Sequence, residues 1–245
     1  MIETELNKMN VHVYSDPRQA AQAAAMIFAG EILRKPDLVI GLATGSTPVP
    51  TYQELIRLNR EGLIDFSRVR SYNLDEYVGM APDHPCSYRR FMDEQLFNHI
   101  NIDKANTHVP GGVDPDPGAY EAMIQNAGGI DLQLLGIGSN GHIGFNEPAG
   151  TFVYPTNIIT LTESTRRDNA RFFDSPDELP TSAISMGIGT IMAARRVILI
   201  ATGANKARAV AAAIHGPVEP ASPASILQMH PNCQFLLDEE AASLL

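Results

Sequence analysis

Short apolar runs alternate with helical patterns along the whole chain, and no other feature limits the possible folds as strongly. Val11–Tyr14 reads as a short strand. Ser15 then caps a helix with Pro17 in its first turn and an alanine-rich face reaching about Leu33. Asp37–Leu42 (DLVIGL) has the continuous apolar character of a buried parallel strand. An amphipathic helix over Thr51–Arg60 and a strand over Val69–Leu74 follow. Ser87–His99 reads as helix, with Tyr88, Phe91, Met92, Leu96 and Phe97 as its buried set. Asp131–Gly136 and Arg196–Thr202 are strands, a helix runs from Asn205 to about Ile214, and Cys233–Leu237 closes the sheet. There is no internal repeat and no low-complexity linker. The alternation predicts an α/β fold: a single domain over residues 1–245, built on a largely parallel, Rossmann-like open sheet with helices on both faces.

Composition narrows the function. A hydrophobic fraction of 44% supports a real core. No stretch approaches the roughly 20 apolar residues of a membrane span, and Met1–Asn10 is too polar and mixed in charge for a secretory signal. Cys86 and Cys233 stand far apart and form neither a disulfide framework nor a zinc spacing, so a reducing cytoplasm is the expected location. The net charge of -10 argues against nucleic acid or an anionic membrane as partner, since both require a basic face. A small anion is still compatible, because a few backbone N–H groups and one or two cations suffice to hold it.

Ligands of open α/β sheets bind at the carboxyl ends of the strands, which directs attention to the loops after Leu42, Leu74, Gly136 and Thr202. Ala43-Thr44-Gly45-Ser46-Thr47-Pro48 joins a strand to a helix, with Gly45 allowing a tight turn and Pro48 suiting the first helical position. It is either a phosphate cradle of free N–H and hydroxyl groups or an ordinary capped turn; it lacks the lysine of a Walker motif. Asp75 and Glu76 form a carboxylate pair at a strand end. One of them is placed for general base work; the ordinary alternative is a helix-capping Asp75 beside a solvated Glu76. Gly136 to Pro148 (GIGSNGHIGFNEP) holds four glycines, His142 and Glu147, a pattern for close backbone approach and for proton transfer near neutral pH. No second histidine or cysteine stands near His142, so a metal site is not expected. Lys206 and Arg171 are each able to clamp a phosphate, though each alone is also an ordinary surface charge.

Taken together, ATGSTP, NLDEYVG, HPCSY, GIGSNGHIGFNEP, RFFD and LQMHP resemble the glucosamine-6-phosphate deaminase (isomerising) family, in family order from about residue 38 to 240. The resemblance implies conversion of glucosamine 6-phosphate to fructose 6-phosphate and ammonia without metal or organic cofactor. It assigns Asp75 as the base moving a proton between C2 and C1, His142 as the ring-opening group and Glu147 as its partner. It places Thr44, Gly45, Ser46, Thr47, Arg171 and Lys206 at the phosphate, and a mobile lid over about residues 150–180.

The chain departs from the hexameric members of that family at two places. Asn140 replaces an aspartate two residues before the histidine, so it is expected to hold the histidine by a hydrogen bond without adding charge. Where those members bind an N-acetylated activator with basic side chains, this chain reads Thr156-Asn157-Ile158-Ile159, and it stops at Leu245 without their C-terminal extension. The expectation is a non-allosteric monomer or small homo-oligomer acting on a small molecule. Galactosamine 6-phosphate as substrate, lactone hydrolysis on the same fold, and a non-catalytic sensor are the alternatives; Asp75, His142 and Glu147 standing together favour an enzyme.

Overall fold

The structure, a computed structural model, describes residues 10–170, 173 and 179–245, with backbone alone at Ser164 and Asp168. Strand β2 (Val39–Leu42) is buried along its whole length, as a continuous apolar run requires. Around it lie β1 (Asn10–Tyr14), β3 (Arg70–Asn73), β5 (Thr107–His108), β6 (Leu132–Leu135), β9 (Arg196–Ala201) and β10 (Cys233–Asp238). They form a seven-stranded sheet in the order β1-β10-β9-β6-β2-β3-β5. Every neighbouring pair is parallel. The edge is therefore β1 and not Cys233–Leu237, which pairs with β1 on one side and β9 on the other.

The chain steps from β2 to β3 and β5 in one direction, then restarts at β6 on the other side of β2 and moves outward through β9 and β10. Right-handed crossovers put helices of opposite travel on opposite faces. Helices α1 (Pro17–Arg34) and α2 (Val49–Arg60) share one face and pack on each other, while α7 (Ala207–His215) connects β9 to β10 across the other. The reversal leaves a crevice at the carboxyl ends of β2 and β6. The cap of α1 is Asp16 rather than Ser15: the Asp16 carboxylate accepts from Gln19 N–H at 2.9 Å. The segment read as one helix over Ser87–His99 is α3 (Tyr88–Met92) continued by a π-helical turn, Asp93–Phe97. Helix α4 (Pro117–Asn126), capped by Asp116, completes this part of the molecule.

A second sheet was not foreseen. Strands β4 (Asp75–Tyr77), β7 (Asn157–Thr160) and β8 (Ser182–Ser185) form an antiparallel sheet in the order β4-β8-β7. Leu74 joins the two sheets: its N–H donates to Leu42 O at 3.0 Å and its carbonyl accepts from Met186 N–H at 2.7 Å. A small apolar cluster of Tyr77, Met80, Phe145, Leu161 and Ala183 supports this sheet. Beside it run α5 (Glu163–Asn169) and α6 (Ile188–Met192). Among the described residues no helix is long and apolar enough to cross a membrane.

Candidate active site

The carboxyl ends of the parallel strands open into a cavity of about 760 Å³, lined from all four of the loops singled out above. The loop after β2 contributes Thr44, Gly45, Ser46 and Thr47. Gly45 has φ 88°, a conformation that glycine adopts without strain. Helix α2 begins at Val49, so Pro48 precedes it by one residue. Lys206 reaches the same cavity from the loop after β9. That loop is anchored at Gly203, whose N–H donates to both Asp238 carboxylate oxygens at 3.0 Å. Arg171 lies outside the described residues.

Asp75 is neither a helix cap nor solvated; it is the first residue of β4 and only 6% exposed. Burial, with a smaller contribution from the neighbouring Glu76 charge, pushes its carboxyl up to about 8. Glu76 is 2% exposed, which overturns the solvated alternative. Its carboxylate accepts from the backbone N–H groups of Tyr77 (2.9 Å), Tyr88 (3.0 Å) and Arg89 (3.0 Å), tying β4 to the start of α3. Burial still raises it to about 7 against those three donors.

The loop after β6 closes on itself at Gly138, whose N–H donates to His142 O at 2.9 Å. The imidazole of His142 lies over Gly138 so closely that a Cβ there would stand 2.3 Å from the ring. His142 Nδ1 faces Glu147 Oε2 at 3.6 Å. Burial pushes the Glu147 carboxyl up, but bonds from His142, Thr165 and Asn140 outweigh it and hold the group down at about 2. Asn140 holds the histidine by a hydrogen bond as expected, at the backbone and not the ring. Its side-chain NH₂ donates to Glu147 Oε2 at 2.8 Å and its oxygen accepts from His142 N–H at 3.2 Å. It orients the carboxylate and shapes the loop.

Sequence reasoning missed two elements of the site. Tyr88, at the start of α3, donates its hydroxyl to Tyr77 at 3.0 Å, bonds the Thr44 side chain and stacks on Phe145. The HPCSY motif marked this segment without revealing its role. Thr165, on α5, stands 3.5 Å from His142 Nδ1; nothing in a polar stretch distinguishes it from its neighbours. Among the described residues no group of three histidine, cysteine or acidic side chains is placed to hold a metal ion.

Fold and site together define an α/β protein in which a strand-to-helix loop at a sheet reversal, a buried carboxyl group and an imidazole line one cavity. The family model for glucosamine-6-phosphate isomerases and 6-phosphogluconolactonases matches residues 15–235. A glucosamine-6-phosphate deaminase of Shewanella woodyi is 53% identical over 97% of this chain and 91% of its own length. That of Halothermothrix orenii is 50% identical over 97% of this chain and 100% of its own. A solved monomeric glucosamine-6-phosphate deaminase superposes with TM-score 0.94 at 42% identity, covering 97% of this chain and 100% of that one. The chain belongs to the glucosamine-6-phosphate isomerase/6-phosphogluconolactonase family.

Proposed function

We propose that this enzyme converts glucosamine 6-phosphate and water to fructose 6-phosphate and ammonia, in the cytoplasmic breakdown of amino sugars. The observation that carries the reading is the placement of a desolvated carboxyl group, Asp75, in one cavity with His142, which Glu147 backs, and the Thr44–Thr47 loop. The loop and Lys206, with Arg171, hold the phosphate by N–H groups, hydroxyls and positive charge. His142, kept in place by Glu147, takes the O1 proton and returns one to O5, which opens the pyranose ring. Asp75 then removes the C2 proton. A carboxylate kept from water is a stronger base than a solvated one, and its product, the neutral acid, suits the buried position. Return of that proton to C1 leaves an iminium at C2, where water adds and ammonia departs. The apolar wall of Tyr77, Phe145 and Phe173 limits access of water to the enolamine, and residues of about 150–180 act as the lid. A monomer suffices for every step.

The test is release of ammonia and fructose 6-phosphate from glucosamine 6-phosphate, beside galactosamine 6-phosphate and 6-phosphogluconolactone, in the presence of a chelator. Rapid release from the first substrate alone is the expected result. Preference for the galactose epimer, comparable lactone hydrolysis, or chelator inhibition reversed by metal overturns the corresponding part of the reading.

A further inference from the structure

Thr165 is 2% exposed although it sits on a short helix rich in charged residues. Its hydroxyl is surrounded on three sides. Thr162 Oγ1, 3.3 Å away, donates to it. The Glu147 carboxyl is hydrogen-bonded to it. His142 Nδ1 lies at 3.5 Å. A threonine hydroxyl has one hydrogen and two lone pairs. Glu147, which already accepts from Asn140, is ionised and has only lone pairs to offer, so the Thr165 hydrogen goes to the carboxylate. One Thr165 lone pair is taken by Thr162. The other faces Nδ1, and only an Nδ1–H makes that contact favourable. Nδ1 thus faces two acceptors, the Thr165 hydroxyl at 3.5 Å and Glu147 Oε2 at 3.6 Å, and the hydroxyl links α5 to both ring and carboxylate.

We propose that Thr165 is a positioning residue that holds His142 in the Nδ1–H tautomer and joins α5 to the histidine–glutamate pair. The lone pair of the imidazole is then on Nε2, the nitrogen able to accept the O1 proton. Because Thr165 belongs to α5 and not to the loop after β6, the Nδ1–H tautomer is favoured while α5 is seated on the site. This rests on the ring-opening role given to His142 above.

The test compares Thr165→Val, which keeps shape and loses the hydroxyl, with Thr165→Ser, which keeps the hydroxyl. Tautomer is read from the imidazole ¹⁵N shifts of the ligand-free protein, with His142→Asn assigning the signals. The valine variant is expected to lose about ten-fold or more in kcat while KM moves much less, since a misplaced reacting group costs turnover before binding. Its His142 signals should move away from the Nδ1–H form, and serine should restore both. Wild-type tautomer and kcat in the valine variant overturn the proposal. So does a serine variant as impaired as valine, which would assign the residue to packing. The ¹⁵N measurement requires no substrate, so an error in the substrate assignment would leave it interpretable.

Discussion

Burying a carboxyl group without a cation beside it favours the protonated form, and at Asp75 this has a thermodynamic signature. The folded protein keeps a proton on the group up to about 8, whereas the ordinary value is 3.8. Stability from this group is therefore fully present below about pH 4 and lost as pH rises towards about 8. Asparagine is neutral throughout and escapes that loss. Asp75→Asn should melt at a higher temperature than the parent protein, by a margin that grows between about pH 4 and pH 8 and then levels off. The same change should lower turnover on the order of a hundred-fold or more if Asp75 is the base proposed above. Thermal melts across this range, beside an ammonia assay, check both; a margin that shrinks with pH, or near-parental turnover, contradicts the assignment. Asp75, His142 and Glu147 stood out because they lie in loops at the carboxyl ends of strands; the residues alone left Asp75 open between base and helix cap, and the family motifs supplied the roles. The burial of Glu76 was not legible, since two of its three partners are backbone N–H groups 12 and 13 residues downstream.

At the scale of elements, that same carboxylate fixes the angle between β4 and α3. Its position makes Glu76 both a clamp and an electrostatic neighbour of the base. Glu76→Gln retains the shape, replaces one acceptor oxygen by an NH₂ that cannot accept from the backbone N–H facing it, and removes the negative charge beside Asp75. The expected outcomes are a loss of about 1–3 kcal/mol in stability and an acid limb of kcat/KM displaced to lower pH. The displacement follows because the Glu76 charge contributes to raising the Asp75 carboxyl. Denaturant titration and a pH–rate series measure the two separately, and an acid limb that stays in place would show that Glu76 acts as a clamp alone. Six of the seven parallel strands were readable, the clearest as continuous apolar runs bounded by polar turns, VIGL and RVILIA, whereas β5 is two polar residues, Thr107 and His108, and gave no signal. The second sheet was not. DEY, NIIT and SAIS are three or four residues long, and β4 follows β3 after the single residue Leu74, so the sequence offers no turn between them. The cap at Asp16 was displaced by one residue because Ser15 and Asp16 are both good caps and only geometry chooses.

For the molecule as a whole, the segment where the family resemblance would place activator-binding cations, Thr156-Asn157-Ile158-Ile159, forms β7 and its approach here. Thr156 is engaged with Glu121, which accepts from its N–H at 3.2 Å and its hydroxyl at 2.6 Å. A carboxylate in that position disfavours a phosphate. Substrate titrations should be hyperbolic and unchanged by N-acetylglucosamine 6-phosphate, with light scattering giving the mass of one chain, 26.6 kDa. A sigmoidal curve that the acetylated sugar straightens, from a particle several times that mass, would overturn this expectation. Without differential affinity for two states, an effector has nothing to act on.

The junction at Leu74 has a mechanical consequence. A single residue is hydrogen-bonded to the large sheet through its N–H and to the small one through its carbonyl, and the next residue is Asp75. The small sheet is thus a lever whose fulcrum adjoins the base. A displacement of β7 and β8 would turn the Asp75 carboxyl about that point. The amide of Met186, which donates to Leu74, reports the stiffness of the fulcrum, and its exchange with deuterated solvent should slow when a sugar phosphate fills the cavity.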